Sequence, residues 1–202
     1  MSFCRKFVFL VVFLLVQPAF AVDYSQYNPE DISSVLSAVR AYQEENSNLK
    51  ATAHSEQEFL KFLDFYSKFI SVQNSKRVLE TASEVESYLY QCQILNKKYN
   101  KYGLRVVMSD SLEFYFDENV AFLYASFAPY LSKDWKELLK FDRFRDNVWY
   151  FDGNIKISKR QVKQILDFYI TFNKKYPDFV EADRIKEYIE NFKSLLQSYP
   201  KY

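Results

Sequence analysis

Glycine is nearly missing from this chain, with two in 202 residues. Tight strand turns, and loops whose backbone must approach a phosphate, depend on glycine's tolerance of positive φ. Sandwiches, barrels and phosphate-cradling loops are therefore excluded as the organising motif. Histidine occurs once, at His54, and cysteine twice, at Cys4 and Cys92. That set cannot furnish a zinc cluster. A Ser–His–Asp or Cys–His centre would have to run through His54, and no serine stands in a Gly-x-Ser-x-Gly turn to serve as nucleophile. No metal and no cofactor is expected. There is no Asn-x-Ser/Thr acceptor for N-glycosylation and no long block of one charge. Nor is there an apolar run of the ~20 residues that a membrane-spanning helix needs.

The longest apolar run, Phe7 to Val16, has ten residues. Arg5 and Lys6 precede it, Gln17 and Pro18 break it, and Ala19-Phe20-Ala21 follows as a small-x-small site. This is the order of a secretory signal peptide. Residues 1–21 are expected to be cleaved off, leaving a periplasmic or extracellular chain from Val22 with no stable membrane anchor. Cys4 lies ahead of the apolar run, so it is not the modified cysteine of a lipoprotein. Removing Arg5 and Lys6 turns the formal net charge from +1 to about −1. No basic stripe stands out, and nucleic acid is not an expected partner. Cys92 then stands alone, so no disulfide within the chain is expected and packing must supply the stability.

What is present is aromatic: 20 Phe and 17 Tyr. The tetrapeptide LDFY occurs at Leu63–Tyr66 and again at Leu166–Tyr169. At that offset Ser55 falls on Ser158, each followed three residues later by Glu58 or Gln161, the pattern of a capping box. Ser75 falls on Asp178, two further N-cap residue types. Ala82, Val85, Leu89 and Cys92 fall on Ile185, Tyr188, Phe192 and Leu195, an apolar face at helical spacing. Both stretches read as helix, turn, helix.

Elsewhere Asn28 with Pro29 reads as a helix start, followed by a stripe of Ile32, Val35, Leu36, Val39 and Tyr42. Gly103 is placed as a helix stop. Asp110 with Glu113 opens a helix over Leu112–Tyr130, and Ser132 caps a shorter one carrying Trp135, Leu138, Leu139 and Phe141. The expected class is all-α. After a linker at 22–28, a single helical domain at 29–202 holds repeated helical hairpins at about 55–102, 110–146 and 158–199. Leu104–Met108 and Val148–Ile157 have strand-like composition, with a turn signal at Asp152-Gly153, so one short β-hairpin there is expected.

The run Phe172-Asn173-Lys174-Lys175-Tyr176-Pro177-Asp178, then Ala182-Asp183, resembles the inter-helix turn of tetratricopeptide-like repeats in bacterial envelope proteins. Positions that are small in those repeats hold Ile185 and Ile189 here, and the spacing exceeds the ~34 residues of their unit. Three hairpins after a leading helix suggest a TPR-like stack or an irregular bundle, and the resemblance implies a protein-binding scaffold working in the cell envelope. It carries over no catalytic residue.

The remaining polar residues suggest little chemistry. Cys92 shares the stripe of Val85 and Leu89 and reads as core. Asp152-Gly153-Asn154 lacks the oxygen ligands of a calcium loop. The carboxylate pairs Asp117/Glu118 and Asp142/Asp146 read as solvated helix surface with basic neighbours. The aromatic excess favours an interface, with Tyr88, Tyr115, Tyr124, Tyr130, Trp135, Trp149 and Tyr150 as candidate anchors. The expected function is binding of an envelope protein or peptide. A carrier or sensor holding an apolar or glycan ligand in an aromatic pocket is the alternative, and a carboxylate-based glycan hydrolase a minor one.

Overall fold

The computed structural model describes residues 21–47, 51–76, 79, 88–109, 113–149 and 157–199, with the backbone alone at 88, 89 and 147–149. The described chain is mostly helical: α1 Ser34–Asn46, α2 Ala53–Lys76, α3 Tyr88–Tyr99, α4 Val120–Phe127, α5 Lys133–Trp149, α6 Lys159–Lys175 and α7 Ala182–Ser198. One antiparallel sheet pairs β1 Leu104–Met108 with β2 Phe114–Glu118.

Helix α2 is the axis of the core. Phe59, Phe62, Tyr66, Phe69 and Gln73 recur at steps of three and four, and all are buried. The Phe62 ring meets Phe127 of α4 at 4.4 Å, and Phe59 meets Trp135 of α5 at 5.1 Å. Full burial of each such ring contributes ~1.5–3 kcal/mol. On the far side α5 continues into α6 through Phe141 and Phe168, stacked 3.5 Å apart. Residues 22–28, expected as a linker, are docked on α2: Tyr24 is buried against Phe62 and Phe65.

The last hairpin agrees with its sequence. Ser158 and Gln161 form a reciprocal capping box, and α6 and α7 pack along each other. Lys175 and Tyr176 in the turn both reach Glu137 of α5, at 2.6 and 2.9 Å. Gly103 ends the helical stretch after α3 with φ +70°. A Cβ there would sit 2.7 Å from the Phe122 ring, so both backbone and space demand glycine.

Four local readings are corrected. Asn28 does not start α1. Its Oδ1 accepts from the Glu30 amide and Asp31 Oδ1 from the Ser33 amide, and these side-chain turns hold the backbone out of the helix until Ser34. Ser55 is not an N-cap. It sits in the first turn of α2, exchanging hydrogen bonds with Thr52, which holds the cap position. Ser75 lies in the last turn of α2, and Asp178 lies in the α6–α7 turn, with Glu181 preceding α7. The proposed cap equivalence therefore fails at three of its four positions. Helices α2 and α3 also do not copy the last hairpin: α2 packs on β2 while α3 packs on β1. Residues 80–87, part of that alignment, lie outside the described residues.

The fourth correction is the sheet. Leu104–Met108 is a strand, as its composition suggests. Its partner is Phe114–Glu118, within the stretch expected to open a helix, with Val106 opposite Phe116. Helix begins only at Asn119, whose Oδ1 accepts from the Phe122 amide. Val148 and Trp149 belong to α5, and 150–156, including Asp152-Gly153, lie outside the described residues.

A two-stranded sheet is marginal alone. Here both outer edges are closed by asparagine carboxamides. Asn96 of α3 accepts from the Val106 amide at 2.9 Å and donates to its carbonyl at 2.8 Å. Asn74 of α2 accepts from the Phe116 amide at 2.7 Å and donates to its carbonyl at 2.9 Å. Each carboxamide takes the place of a neighbouring strand. Asn74→Ala is expected to cost about 3 kcal/mol in urea unfolding, because two backbone groups beside a buried phenylalanine lose their partners. Hydrogen exchange at the Phe116 amide should accelerate with it.

Candidate functional site

Arg105 is the one charge in β1, and a charged side chain in a packed strand needs partners. Its two terminal nitrogens are held by different elements. One lies 2.7 Å from Asp117 Oδ2, directly opposite on β2, and the other 2.6 Å from Asp146 Oδ2 on α5. One turn earlier on α5, Asp142 shares the same helix face. Arg145 stands between the two aspartates, 3.4 Å from each, and donates to the Tyr169 hydroxyl at 2.5 Å. That hydroxyl donates to Asp142 at 2.7 Å.

The network forms the floor of a cleft of about 360 Å³ between the sheet, α5 and α7. Tyr188 of α7 carries a guanidinium near its ring on two counts, Arg145 at 5.4 Å and Arg184 at 5.5 Å. Arg184 also donates to the Tyr188 hydroxyl at 2.9 Å. At the mouth Arg184 faces Glu118 across 4.0 Å, too far for a direct hydrogen bond, and the two side chains are 38 and 36 % exposed. Phe192 and Leu195 supply an apolar wall.

The lining holds three guanidiniums, Arg105, Arg145 and Arg184, against three carboxylates, Asp117, Glu118 and Asp146. Burial pushes the Asp146 carboxyl up against the pull of Arg105 and Arg145. Burial would lower Arg145, but the carboxylates of Asp142 and Asp146 and the Tyr169 hydroxyl outweigh it and hold its proton firmly. Burial likewise raises Glu118, offset only in part by Arg184.

Comparison with protein-family models, curated proteins and solved structures gives no match. The geometry must carry the functional argument.

Both carboxylate pairs taken from the sequence as solvated helix surface lie in this network. Asp117 and Glu118 are on a strand, and Asp142 and Asp146 are on the buried face of α5. The described candidate aromatics are elsewhere. Trp135 is 2 % exposed, wedged between Phe59 and Phe179, and offers nothing to a partner. Tyr115 is 40 % exposed on β2. Tyr124 is half-buried under Arg143, and Tyr130 is half-buried against Tyr42. Tyr88 and Trp149 sit at the ends of α3 and α5 with side chains outside the description, and Tyr150 lies beyond it. None of the described ones lines this cleft. The cleft uses Tyr188 and Phe192 instead, which the sequence marks only as part of an apolar helical stripe.

Cys92 is a free, half-buried thiol donating to the Val106 carbonyl, and burial pushes its pKa up despite the Asn96 contact. His54 is in the first turn of α2, with Nε2 4.0 Å from Glu45. Among the described residues no group of three or more His, Cys, Asp or Glu is placed to hold a metal ion, and no helix is long and apolar enough to cross a membrane.

The raised carboxyl of Glu118 has a thermodynamic consequence. Its folded-state pKa lies above the ordinary 4.5, so between the two values the folded chain holds a proton that the unfolded chain releases. Stability from this group is highest at low pH and falls as pH rises through that window. Glu118→Gln should remove this component. In urea unfolding the variant's midpoint is expected to gain on the parent's from about pH 4.5 upward, with the gain absent below about pH 4.

Proposed function

We propose that this is an exported, non-enzymatic binding protein whose cleft holds a small, neutral, hydroxyl-rich ligand, a mono- or disaccharide in class, for carriage or sensing in the cell envelope. The observation that carries the reading is the loose Arg184–Glu118 pair at the mouth, poised over a floor of closer ion pairs. A donor and an acceptor side by side, 4.0 Å apart and partly exposed, suit hydroxyl groups that both give and take hydrogen bonds. The balance of three positive and three negative lining groups disfavours a ligand of net charge. Tyr188, Phe192 and Leu195 offer apolar surface to the C–H face of a sugar ring, and the volume falls in the ~300–1,000 Å³ range of small-molecule sites.

Cleavage of a glycan would need two available carboxyls facing each other, about 5–9.5 Å apart. Asp117 and Asp146 are both committed to Arg105, and Glu118 is the one lining carboxylate that is not. That favours holding a glycan over hydrolysing it. The peptide-scaffold reading has one supporting observation: Tyr90 and Ile94, one helical turn apart on α3, are both exposed large apolar side chains.

Thermal-shift and calorimetric titration with mono- and disaccharides, amino acids and fatty acids separates these readings. A saccharide is expected to bind saturably, with Arg184→Ala and Glu118→Gln each weakening it at least about tenfold, or ~1.4 kcal/mol. Neither side chain is in the core, so both variants should remain folded. A saccharide panel without any binder, beside a saturable peptide or fatty acid, would overturn the reading.

A further inference from the structure

We infer that cleavage after Ala21 creates a charged terminus at Val22 that Glu58 captures in a buried ion pair, so that removal of the leader completes the core. The inference rests on reading residues 1–21 as a leader and on nothing in the cleft.

Glu58 is a carboxylate out of place. It lies on the core-facing side of α2, beside Phe59 and one turn before Phe62, with its side chain 1 % exposed. Its Oε1 takes Lys61 Nζ at 2.7 Å, a partner that is itself 45 % exposed. Its Oε2 accepts from the backbone nitrogen of Val22 at 3.0 Å. A buried carboxylate is strongly penalised unless its charge is matched and its lone pairs are filled. A peptide amide gives it one donor and no charge.

The nitrogen concerned is the one that the sequence marks for release. Ala19-Phe20-Ala21 is the small-x-small site, and the bond after it is Ala21–Val22. Ala21 is exposed, whereas the Val22 side chain packs on the core and Tyr24 is buried against Phe62. Ala21 is therefore accessible at the bond, and the chain is anchored directly after it. Hydrolysis by a leader peptidase adds water across that bond, leaving a carboxylate on Ala21 and an ammonium on Val22. The ammonium occupies the position of the former amide nitrogen, 3.0 Å from Glu58 Oε2. It supplies a full positive charge and three donors, the stronger class of hydrogen bond. Sequence pattern and tertiary contact thus select the same atom for independent reasons.

The test begins with the whole chain, expressed with its leader, and the N-terminus of the exported product read by mass spectrometry. That product is then compared in thermal unfolding with a version carrying Gly-Ser ahead of Val22, each with and without Glu58→Gln. The product is expected to begin at Val22. The Gly-Ser extension should lower its Tm by about 5 °C or more, and this difference should vanish in Glu58→Gln. A different N-terminus, an extension without effect, or an effect that persists in Glu58→Gln would each overturn the inference. If Glu58→Gln does not fold, NMR of the 15N-labelled Val22 amine decides. Titration clearly above the ordinary ~7.7–8.0 supports the pair, and titration within that range overturns it. Saccharide binding by the cleft is a separate readout, so failure of one reading does not pass for failure of the other.

Discussion

The pairing of Val106 with Phe116 is the constraint on which the rest of the structure depends. Two strands of five residues have no stability of their own. Asn96 and Asn74 close their outer edges, and in doing so they tie α3 to one side of the sheet and α2 to the other. The register also decides where charge goes. Side chains alternate along a strand, so a slip of one residue would turn Arg105 into the core in place of Val106. With the register held, Arg105 stands opposite Asp117 and reaches Asp146 of α5. The cleft is therefore a consequence of the asparagine clamps.

Two buried tyrosines repeat this logic with hydroxyls. Tyr66 and Tyr169 end the two LDFY tetrapeptides, and each is fully buried. Tyr66 donates to the Gly103 carbonyl and accepts from the Asn119 amide, joining α2 to the end of the sheet where β1 begins and β2 finishes. Tyr169 accepts from Arg145 and donates to Asp142, joining α6 to the ionic floor. Buried hydroxyls must be satisfied, and a ring long enough to cross between elements places the demand at a distance. The tetrapeptide marks two equivalent packing jobs: aromatic bulk toward the core and one polar atom that fixes a neighbour.

The ionic floor exchanges stability for position. Three arginines and four carboxylates in and behind one cleft carry a desolvation cost that an apolar filling would avoid. In return, Arg105 and Arg145 are held from several directions, and the less constrained pair, Arg184 and Glu118, is presented at the opening. Aromatic packing around α2 supplies the surplus that sustains this arrangement. Long helices with large rings at every third or fourth position bury much apolar area without any disulfide among the described residues.

Local contacts were legible in the sequence. The helical class, the Ser158–Gln161 capping box, the last hairpin and the stop at Gly103 all follow from residues within a turn or two of each other, and capping and propensity act at that range. The local signal misleads where a distant contact overrides it. Phe114-Tyr115-Phe116 suits helix and strand alike, and only β1 and Asn74 settle it as strand. Misreading that strand made Asp117 and Glu118 look like helix surface. Asp142 and Asp146 look like surface in the sequence because the buried side of a polar helix is chosen by what packs on it. By itself the sequence determined that a chain with two glycines and an aromatic surplus folds mostly into helices. Only the tertiary structure decided which strands pair, and therefore which charges are buried together, because strand pairing and ion-pair burial join residues far apart in the chain.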